Sequence, residues 1–83
     1  MKIFYFAWLK EHTLCSSEII NPPKKIATVN ELVDFLKTLS PGHQIALQNM
    51  KTVRIAVNQE YASLETAIKS TDEIAFFPPV TGG

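Results

Sequence analysis

The sequence predicts an α+β fold, in which a mixed β-sheet is packed on one main helix. Strand-forming residues cluster towards both ends of the 83-residue chain, and one strongly amphipathic segment lies between them. Strands grouped apart from a single helix are typical of a roll. Because a helix-containing crossover separates the first and last strands, we expect these two to pair in parallel at the sheet centre.

The N-terminal segment predicts two strands. Residues 2–9 are rich in aromatic side chains and form the first strand, and residues 10–17 are polar and predict a loop. Residues 18–20 predict a short second strand that stops before Pro22. Side-chain alternation divides the first strand into Ile3, Tyr5, Ala7 and Leu9 on one face and Phe4, Phe6 and Trp8 on the other.

The main helix has a clear start signal. Thr28 and Glu31 have the spacing of a capping box, in which each side chain accepts a backbone N–H of the other residue. The segment Ser40-Pro41-Gly42 predicts the end of the helix. Apolar residues at helical spacing define the buried stripe, namely Leu32, Phe35, Leu36 and Leu39.

The C-terminal half predicts a hairpin and a final strand. Residues 43–51 are ambiguous between a loop and a short helical turn, and residues 52–57 predict a strand with Val53, Ile55 and Val57 inward. Asn58-Gln59 is typical of a turn into a short strand around Tyr61.

Two turns and a strand follow the hairpin. We expect one helical turn in residues 64–69 and a second turn in residues 70–73. Residues 73–77 predict the last strand, with Phe76 facing the core and Phe77 on the other face.

Composition excludes several classes of function. The formal net charge is zero, so nucleic acid and anionic membranes are not expected partners. Cys15 is the only cysteine, and no cysteine or histidine spacing predicts a metal site. His12 and His43 are isolated and are expected at the surface or in turns. We therefore expect no bound cofactor, no metal and no enzyme that acts alone.

The apolar run over residues 3–9 is too short to span a membrane, and no small-residue cleavage site follows it. A cytoplasmic location is the default expectation.

The last residues are the most informative part of the chain. Glycine has no Cβ, so Gly82 and Gly83 can enter a channel too narrow for other residues. Prolines cannot extend a sheet, so we expect one domain over residues 1–77 and an extended tail over residues 78–83. The Gly83 carboxylate is the expected reactive group. The residues expected to thread into a partner are Pro78, Pro79, Val80, Thr81 and Gly82.

This ending resembles the C-terminus of molybdopterin synthase small subunits, the MoaD family. A terminal Gly-Gly alone is shared with ubiquitin and thiamin sulfur carriers, whereas Phe-Phe-Pro-Pro-Val-Thr-Gly-Gly over residues 76–83 is specific. Ala56-Val57-Asn58-Gln59 and the Phe-rich first strand are also similar to that family. One departure is Thr71, which stands before Asp72 where relatives often have glycine.

The resemblance implies a β-grasp, ubiquitin-like fold and a sulfur-carrier role in molybdenum cofactor biosynthesis. A MoeB-like E1 adenylating enzyme would use ATP to adenylate Gly83, and a persulfide sulfur donor protein would convert it to a thiocarboxylate. A MoaE-like large subunit would supply catalytic residues and pass sulfur to a pterin precursor, within a heterotetramer. Phe6, Tyr61 and Phe77 are then the candidates for the partner interface, with a place in the core as the alternative.

Two other functions remain open from the sequence. The chain is either another ubiquitin-like sulfur carrier or protein modifier, serving thiamin synthesis, tRNA thiolation or conjugation, or a non-covalent binding module with a passive tail. The Phe-Phe-Pro-Pro stalk argues against a thiamin carrier.

Overall fold

The computed structural model describes residues 1–79, in which one mixed sheet has the strand order β2-β1-β5-β3-β4. The central strands β1 and β5 are parallel, with Ile3 opposite Ile74, and the other neighbours pair antiparallel. The predicted parallel pairing at the sheet centre is confirmed. The strands are β1 (Lys2–Tyr5), β2 (Ser17–Ile19), β3 (Arg54–Val57), β4 (Glu60–Ala62) and β5 (Glu73–Phe77).

Three helices cover one face of the sheet: α1 (Trp8–Thr13), α2 (Val29–Leu36) and α3 (Pro41–Leu47), with a 3-10 turn at Met50–Thr52. The core lies between the helices and the sheet. Within residues 1–79, none of the helices combines the length and the apolar character needed to cross a membrane. The largest fully buried side chains are Tyr5, Phe76, Ile3, Leu9, Leu32, Leu36, Leu47, Ile74 and Val29.

The main helix α2 begins as predicted. The Glu31 N–H donates to Thr28 Oγ1 at 3.3 Å, and the Thr28 N–H donates to Glu31 Oε1 at 3.1 Å. Leu32 and Leu36 are fully buried, as expected of the apolar stripe. Leu39 is exposed, however, because α2 ends at Leu36 and the next residues leave the helical path.

The first predicted strand is too long. β1 ends at Tyr5, and Ala7 has φ 55, which turns the chain into α1. Leu9 lies on α1 and is buried in the core. Trp8 is also in α1, so it does not share a sheet face with Phe4 as the predicted strand required. The prediction of a strand to residue 9 and a loop over residues 10–17 is therefore wrong. Ala7 has no side-chain cap, so the sequence lacks the usual signal for a helix start.

The segment predicted to end the main helix begins another one. Ser40 Oγ accepts the His43 N–H at 3.1 Å, and Pro41 occupies the first turn of α3. Both residues suit the start of a helix. The serine hydroxyl accepts a backbone N–H of the first turn, which has no partner within the helix, and proline has no N–H that would need one. The ambiguous residues 43–51 thus contain most of α3 and the 3-10 turn.

Gly42 explains how closely α3 approaches α1. A Cβ built at this residue would lie 2.0 Å from the backbone oxygen of His12. Only glycine allows this approach without a backbone shift. The two helices therefore pack with their backbones in contact.

The hairpin prediction is confirmed, and one turn prediction is not. Asn58 and Gln59 both have positive φ, at 51° and 70°, which is the geometry of a two-residue hairpin turn between β3 and β4.

Residues 64–69 do not form the expected helical turn, and Ala67 instead makes an isolated bridge to Thr28. Thr71 is not among the residues of positive φ in the described chain, so this turn does not require glycine.

Candidate functional site

The sheet face opposite the helices forms a surface of aromatic and small side chains, here called the outer aromatic face. Across the sheet, Ala75 lies opposite both Phe4 and Ala56, and Ala56 lies opposite Tyr61. Small residues thus occupy the centre, between aromatic residues on either side. The outer aromatic face consists of Phe4, Phe6, Ala56, Tyr61, Ala75 and Phe77.

The three residues suggested for a partner interface all lie on this face. Phe6 is 50% exposed and Tyr61 is 82% exposed, while Phe77 is half-buried. The rings of Tyr61 and Phe77 lie 6.1 Å apart between centroids, at an interplanar angle of 46°. Phe76, by contrast, is fully buried, as the alternation predicted. The role of Phe6, Tyr61 and Phe77 in binding a partner stays a prediction.

The outer aromatic face is concave beside the first strand. A hollow with a volume of about 250 Å³ is lined there by Phe4, Phe6, Ala56, Gln59, Glu73 and Ala75. Aromatic rings with polar side chains at their margin are typical of a surface that a protein partner covers.

The last strand delivers the tail to the edge of this face. β5 is hydrogen-bonded on both sides, and the Phe6 N–H donates to the Phe76 carbonyl oxygen at 3.1 Å. Pro78 and Pro79 follow directly and are half-buried. A strand paired on both sides is a rigid base for the segment that follows it. The remaining predicted tail residues lie outside the described residues: Val80, Thr81, Gly82 and the reactive Gly83.

Hydrogen bonds among Asn58, Lys69, Asp72 and Glu73, here called the clip, hold the beginning of β5. Asp72 is buried, and its carboxylate accepts Asn58 Nδ2 at 3.0 Å and the Lys69 N–H at 2.9 Å. Asn58 Oδ1 accepts the Glu73 N–H at 3.0 Å. The bond from Asn58, followed by that from Lys69, lowers the pKa of the Asp72 carboxyl. The hairpin turn is thereby tied to the strand that leads into the tail.

A second polar group lies on the helix side of the sheet, where sequence analysis expected none. Glu18 Oε2 accepts the Tyr5 hydroxyl at 2.7 Å and lies 2.7 Å from His43 Nε2. His43 Nδ1 lies 2.7 Å from Ser40 Oγ. His43 is buried in α3, so its expected place at the surface or in a turn is wrong.

Cys15 completes this group, here called the inner polar cluster: Tyr5, Cys15, Glu18, Ser40 and His43. One ligand atom each from Cys15, Glu18 and His43 lies within 4.8 Å of the others. Burial raises the pKa of the Cys15 thiol, and burial followed by the bond to Glu18 raises the pKa of Tyr5 far above its usual range. No spacing along the chain signals this cluster, because its members come from separate segments.

The parallel central pair, the helical crossover and the exposed outer face define a ubiquitin-like β-grasp domain. The crystal structure of SAMP1 from Haloferax volcanii matches all of this chain and 98% of that one, with a TM-score of 0.80 and 28% identity. A Helicobacter pylori structure, titled a complex of subunits 1 and 2 of molybdopterin-converting factor, matches with a TM-score of 0.65 and 25% identity. That match covers 99% of this chain and 96% of the other.

Sequence comparison narrows the class to a family. The chain belongs to the ThiS family, whose model matches residues 3–83. The molybdopterin synthase sulfur carrier subunit of Haemophilus influenzae is 36% identical, over 100% of this chain and 99% of its own. The protein of the same name from Dictyostelium discoideum is 42% identical, over 99% of this chain and 94% of its own.

Proposed function

We propose that this chain is the sulfur-carrier subunit of molybdopterin synthase. Relatives of that name match it over nearly their full length. The structural observation that supports the proposal most directly is the position of β5, which is paired on both sides and runs into Pro78 and Pro79 beside the outer aromatic face. This arrangement suits a body that docks while its tail enters a partner.

In this proposal the Gly83 carboxylate is activated before it receives sulfur. A carboxylate is a poor electrophile, so it first attacks the α-phosphate of ATP on a MoeB-like enzyme, and pyrophosphate leaves. The terminal sulfur of a donor persulfide then attacks the acyl carbon, and AMP leaves. A second thiol cleaves the sulfur–sulfur bond of this acyl disulfide, so that a disulfide and the Gly83 thiocarboxylate are released. ATP belongs to the activating enzyme and is not a cofactor held by this chain.

The thiocarboxylate sulfur is the nucleophile of the transfer step. Like a thiolate it is ionised near neutral pH, so it can attack a carbon of a pterin precursor, where the new carbon–sulfur bond replaces a bond from that carbon to oxygen. Hydrolysis of the acyl–sulfur bond then leaves sulfur on the pterin and returns the carboxylate. Two such transfers supply the two sulfur atoms of a dithiolene.

The catalytic groups of this transfer belong, in the proposal, to a MoaE-like large subunit. The outer aromatic face itself consists of aromatic and alanine side chains, which apart from the tyrosine hydroxyl carry no group that donates or accepts a proton. Charged side chains share that side of the sheet, namely Lys2, Arg54 and Glu73, and Glu73 lines the hollow beside Phe4 and Phe6. His43 lies on the opposite side of the sheet, in contact with Glu18. The proposal therefore assigns the acid and base of the transfer to the partner.

The outer aromatic face is the proposed docking surface for that large subunit. Exposed aromatic rings around small central residues have the composition of an interface core, and aromatic anchors commonly dominate binding. The Helicobacter pylori neighbour is titled as a complex of two subunits, which supports a partner of this kind. Since activation consumes ATP, the proposal also places the carrier in the cytoplasm.

Intact-mass spectrometry tests the proposal. After incubation with a MoeB-like enzyme, ATP and a persulfide donor, the chain should gain mass equal to the replacement of one oxygen by sulfur. Fragmentation should assign that change to Gly83, and omission of ATP should abolish it. An unchanged mass with partners that thiolate another carrier would refute the proposal.

A role as a protein modifier is the second candidate, because one neighbour is titled a small archaeal modifier protein and SAMP1 is 28% identical to this chain. This role requires an isopeptide bond between Gly83 and a lysine of another protein. Digest mass spectrometry of cells that express the chain would reveal Gly-Gly remnants on lysines. Their dependence on Gly83 would favour this candidate.

A further inference from the structure

We propose that the inner polar cluster is a zinc site, formed by Cys15, Glu18 and His43. Their ligand atoms lie within 4.8 Å of one another. Thiolate, imidazole and carboxylate are the three ligand types that zinc takes from proteins, and three of them with one open position is a common arrangement. The site is independent of the sulfur-carrier chemistry, since it lies on the helix side of the sheet.

The ligands come from three segments that meet only in the folded chain. Cys15 lies between α1 and β2, Glu18 lies on β2 and His43 lies on α3. Glu18 is opposite Ile3 in the sheet and therefore points to the same inner side as that buried residue. A cation bound here would connect the edge strand to α3.

Neighbouring side chains orient two of the ligands. Ser40 Oγ lies 2.7 Å from His43 Nδ1 and is also the acceptor of the His43 backbone N–H. When Ser40 accepts the Nδ1 proton, the Nε2 lone pair is free to bind a cation. The Tyr5 hydroxyl donates to Glu18 at 2.7 Å and fixes the carboxylate. Outer partners of this kind accompany most metal-binding histidines and carboxylates.

The required rearrangement is small. His43 Nε2 and Glu18 Oε2 are 2.7 Å apart, whereas ligands of a tetrahedral zinc ion at about 2.0–2.1 Å are separated by about 3.3 Å. This pair must widen by roughly 0.6 Å, and the Cys15 thiol, which lies within 4.8 Å of both partners against about 3.6 Å around zinc, must approach them by at most about 1.2 Å. The side chain of Glu18 is 24% exposed and Cys15 is partly exposed, so one side is open to solvent for metal entry and for a water ligand.

The charges also suit a divalent cation. A thiolate and a carboxylate with a neutral imidazole contribute two negative charges, which zinc neutralises at a partly buried position. Metal binding needs the Cys15 thiolate, so zinc should displace one thiol proton on binding. Zinc should bind the folded chain and not the unfolded chain, because the three ligands meet only on folding. The melting temperature should therefore rise progressively as the concentration of free zinc increases.

Isothermal titration of the untagged, reduced protein with zinc chloride tests the site. The wild-type protein should bind one equivalent, and the cobalt(II) form should show a thiolate-to-metal charge-transfer band. Cys15→Ser should weaken zinc binding by roughly a hundredfold and abolish that band, and Glu18→Gln should weaken binding by at least about tenfold. His12→Ala is the matched histidine control, because His12 is exposed on α1, and it should bind zinc like the wild type.

Several results would overturn the proposal. They are the absence of stoichiometric zinc binding by the folded wild-type protein, equal binding by Cys15→Ser, or a loss of binding in His12→Ala. Circular dichroism of each variant separates lost binding from lost folding. Cys15→Ser is the most informative change, because it replaces only the sulfur atom. The hydrogen bonds that join the other members of the inner polar cluster do not involve that atom, so they should persist in the variant.

Discussion

Asn58 and Asp72 are joined by a hydrogen bond of 3.0 Å from Nδ2 to Oδ1, which connects the β3–β4 hairpin turn to the start of β5. The same asparagine accepts the Glu73 N–H through Oδ1, and its own N–H donates to the Glu73 carbonyl at 2.7 Å. Asn58 thus binds the side chain of Asp72, just before β5, and the backbone of Glu73, the first residue of β5. A positive φ at Asn58 makes this geometry accessible.

Replacement of Asn58 by alanine should destabilise the fold. The variant loses two side-chain hydrogen bonds and leaves the buried Asp72 with one partner fewer. Gln59→Ala is the matched control, because Gln59 also has positive φ but is exposed and outside the clip. Urea unfolding should show Asn58→Ala to be less stable than Gln59→Ala by about 1–3 kcal/mol. Equal stability of the two variants would contradict the role of the clip.

Stability should fall in acid through Asp72. Its folded pKa lies below the ordinary value of 3.8, so the unfolded chain binds the proton more tightly. The contribution is fully present above about pH 3.8 and is lost as pH falls through the folded pKa. Urea unfolding at a series of pH values should show a weaker acid dependence in Asp72→Asn, and also in Asn58→Gly. An unchanged dependence in Asp72→Asn would exclude this carboxyl as the source.

Gly42→Ala should destabilise the packing of α3 on α1. A Cβ at this position meets the His12 backbone oxygen at 2.0 Å, so the backbone must move. The gain in helix propensity is at most about 1 kcal/mol, whereas overpacking costs typically about 1–3 kcal/mol. Thermal unfolding should show a net loss, and the exposed Gln44→Ala in the same helix should stay within about 0.5 kcal/mol of the wild type. A stabilised Gly42→Ala would contradict the close approach.

Tyr61→Ala should weaken binding to the large subunit. Tyr61 is 82% exposed and contacts Phe77 on the outer aromatic face, so its removal should cost affinity and not folding. The expected loss is about 2 kcal/mol, or roughly thirtyfold in Kd. Ile45→Ala on α3 is the control, since Ile45 is also exposed but lies on the helix side. Equal Kd values for the two variants in titration calorimetry would place the interface elsewhere.

Deletion of Gly83 should separate binding from activity. The sulfur-carrier proposal expects thiocarboxylate formation and pterin sulfuration to be lost. Stability and the affinity of the body for the large subunit should not change, because residues 1–79 contain the core and the outer aromatic face. Retained sulfuration would support a binding module with a passive tail. Chemical denaturation, calorimetry and single-turnover assays on the same sample provide the three measurements.

The sequence by itself determined the elements whose signals are local. The capping box of Thr28 and Glu31 spans one helical turn, the Asn58-Gln59 turn needs only two residues, and alternation placed Phe76 inward. The residue types of the ending over residues 76–83 indicated a reactive terminus, and the resemblance of that ending to the MoaD family indicated a sulfur carrier. Each of these signals acts within a few neighbouring residues, where backbone geometry and hydrogen bonding decide the outcome.

Only the tertiary structure decided the features that join distant segments. The aromatic run does not show that β1 ends at Tyr5, because α1 is stabilised by burial of Leu9 and not by a cap. From the sequence, Ser40 could equally end one helix or begin the next. The hydrogen bond from the His43 N–H to the Ser40 hydroxyl shows that Ser40 begins α3. Glu18 and His43 are separated by 25 residues, yet they meet at 2.7 Å. Packing across the whole chain brings such groups together, and no local pattern in the sequence records it.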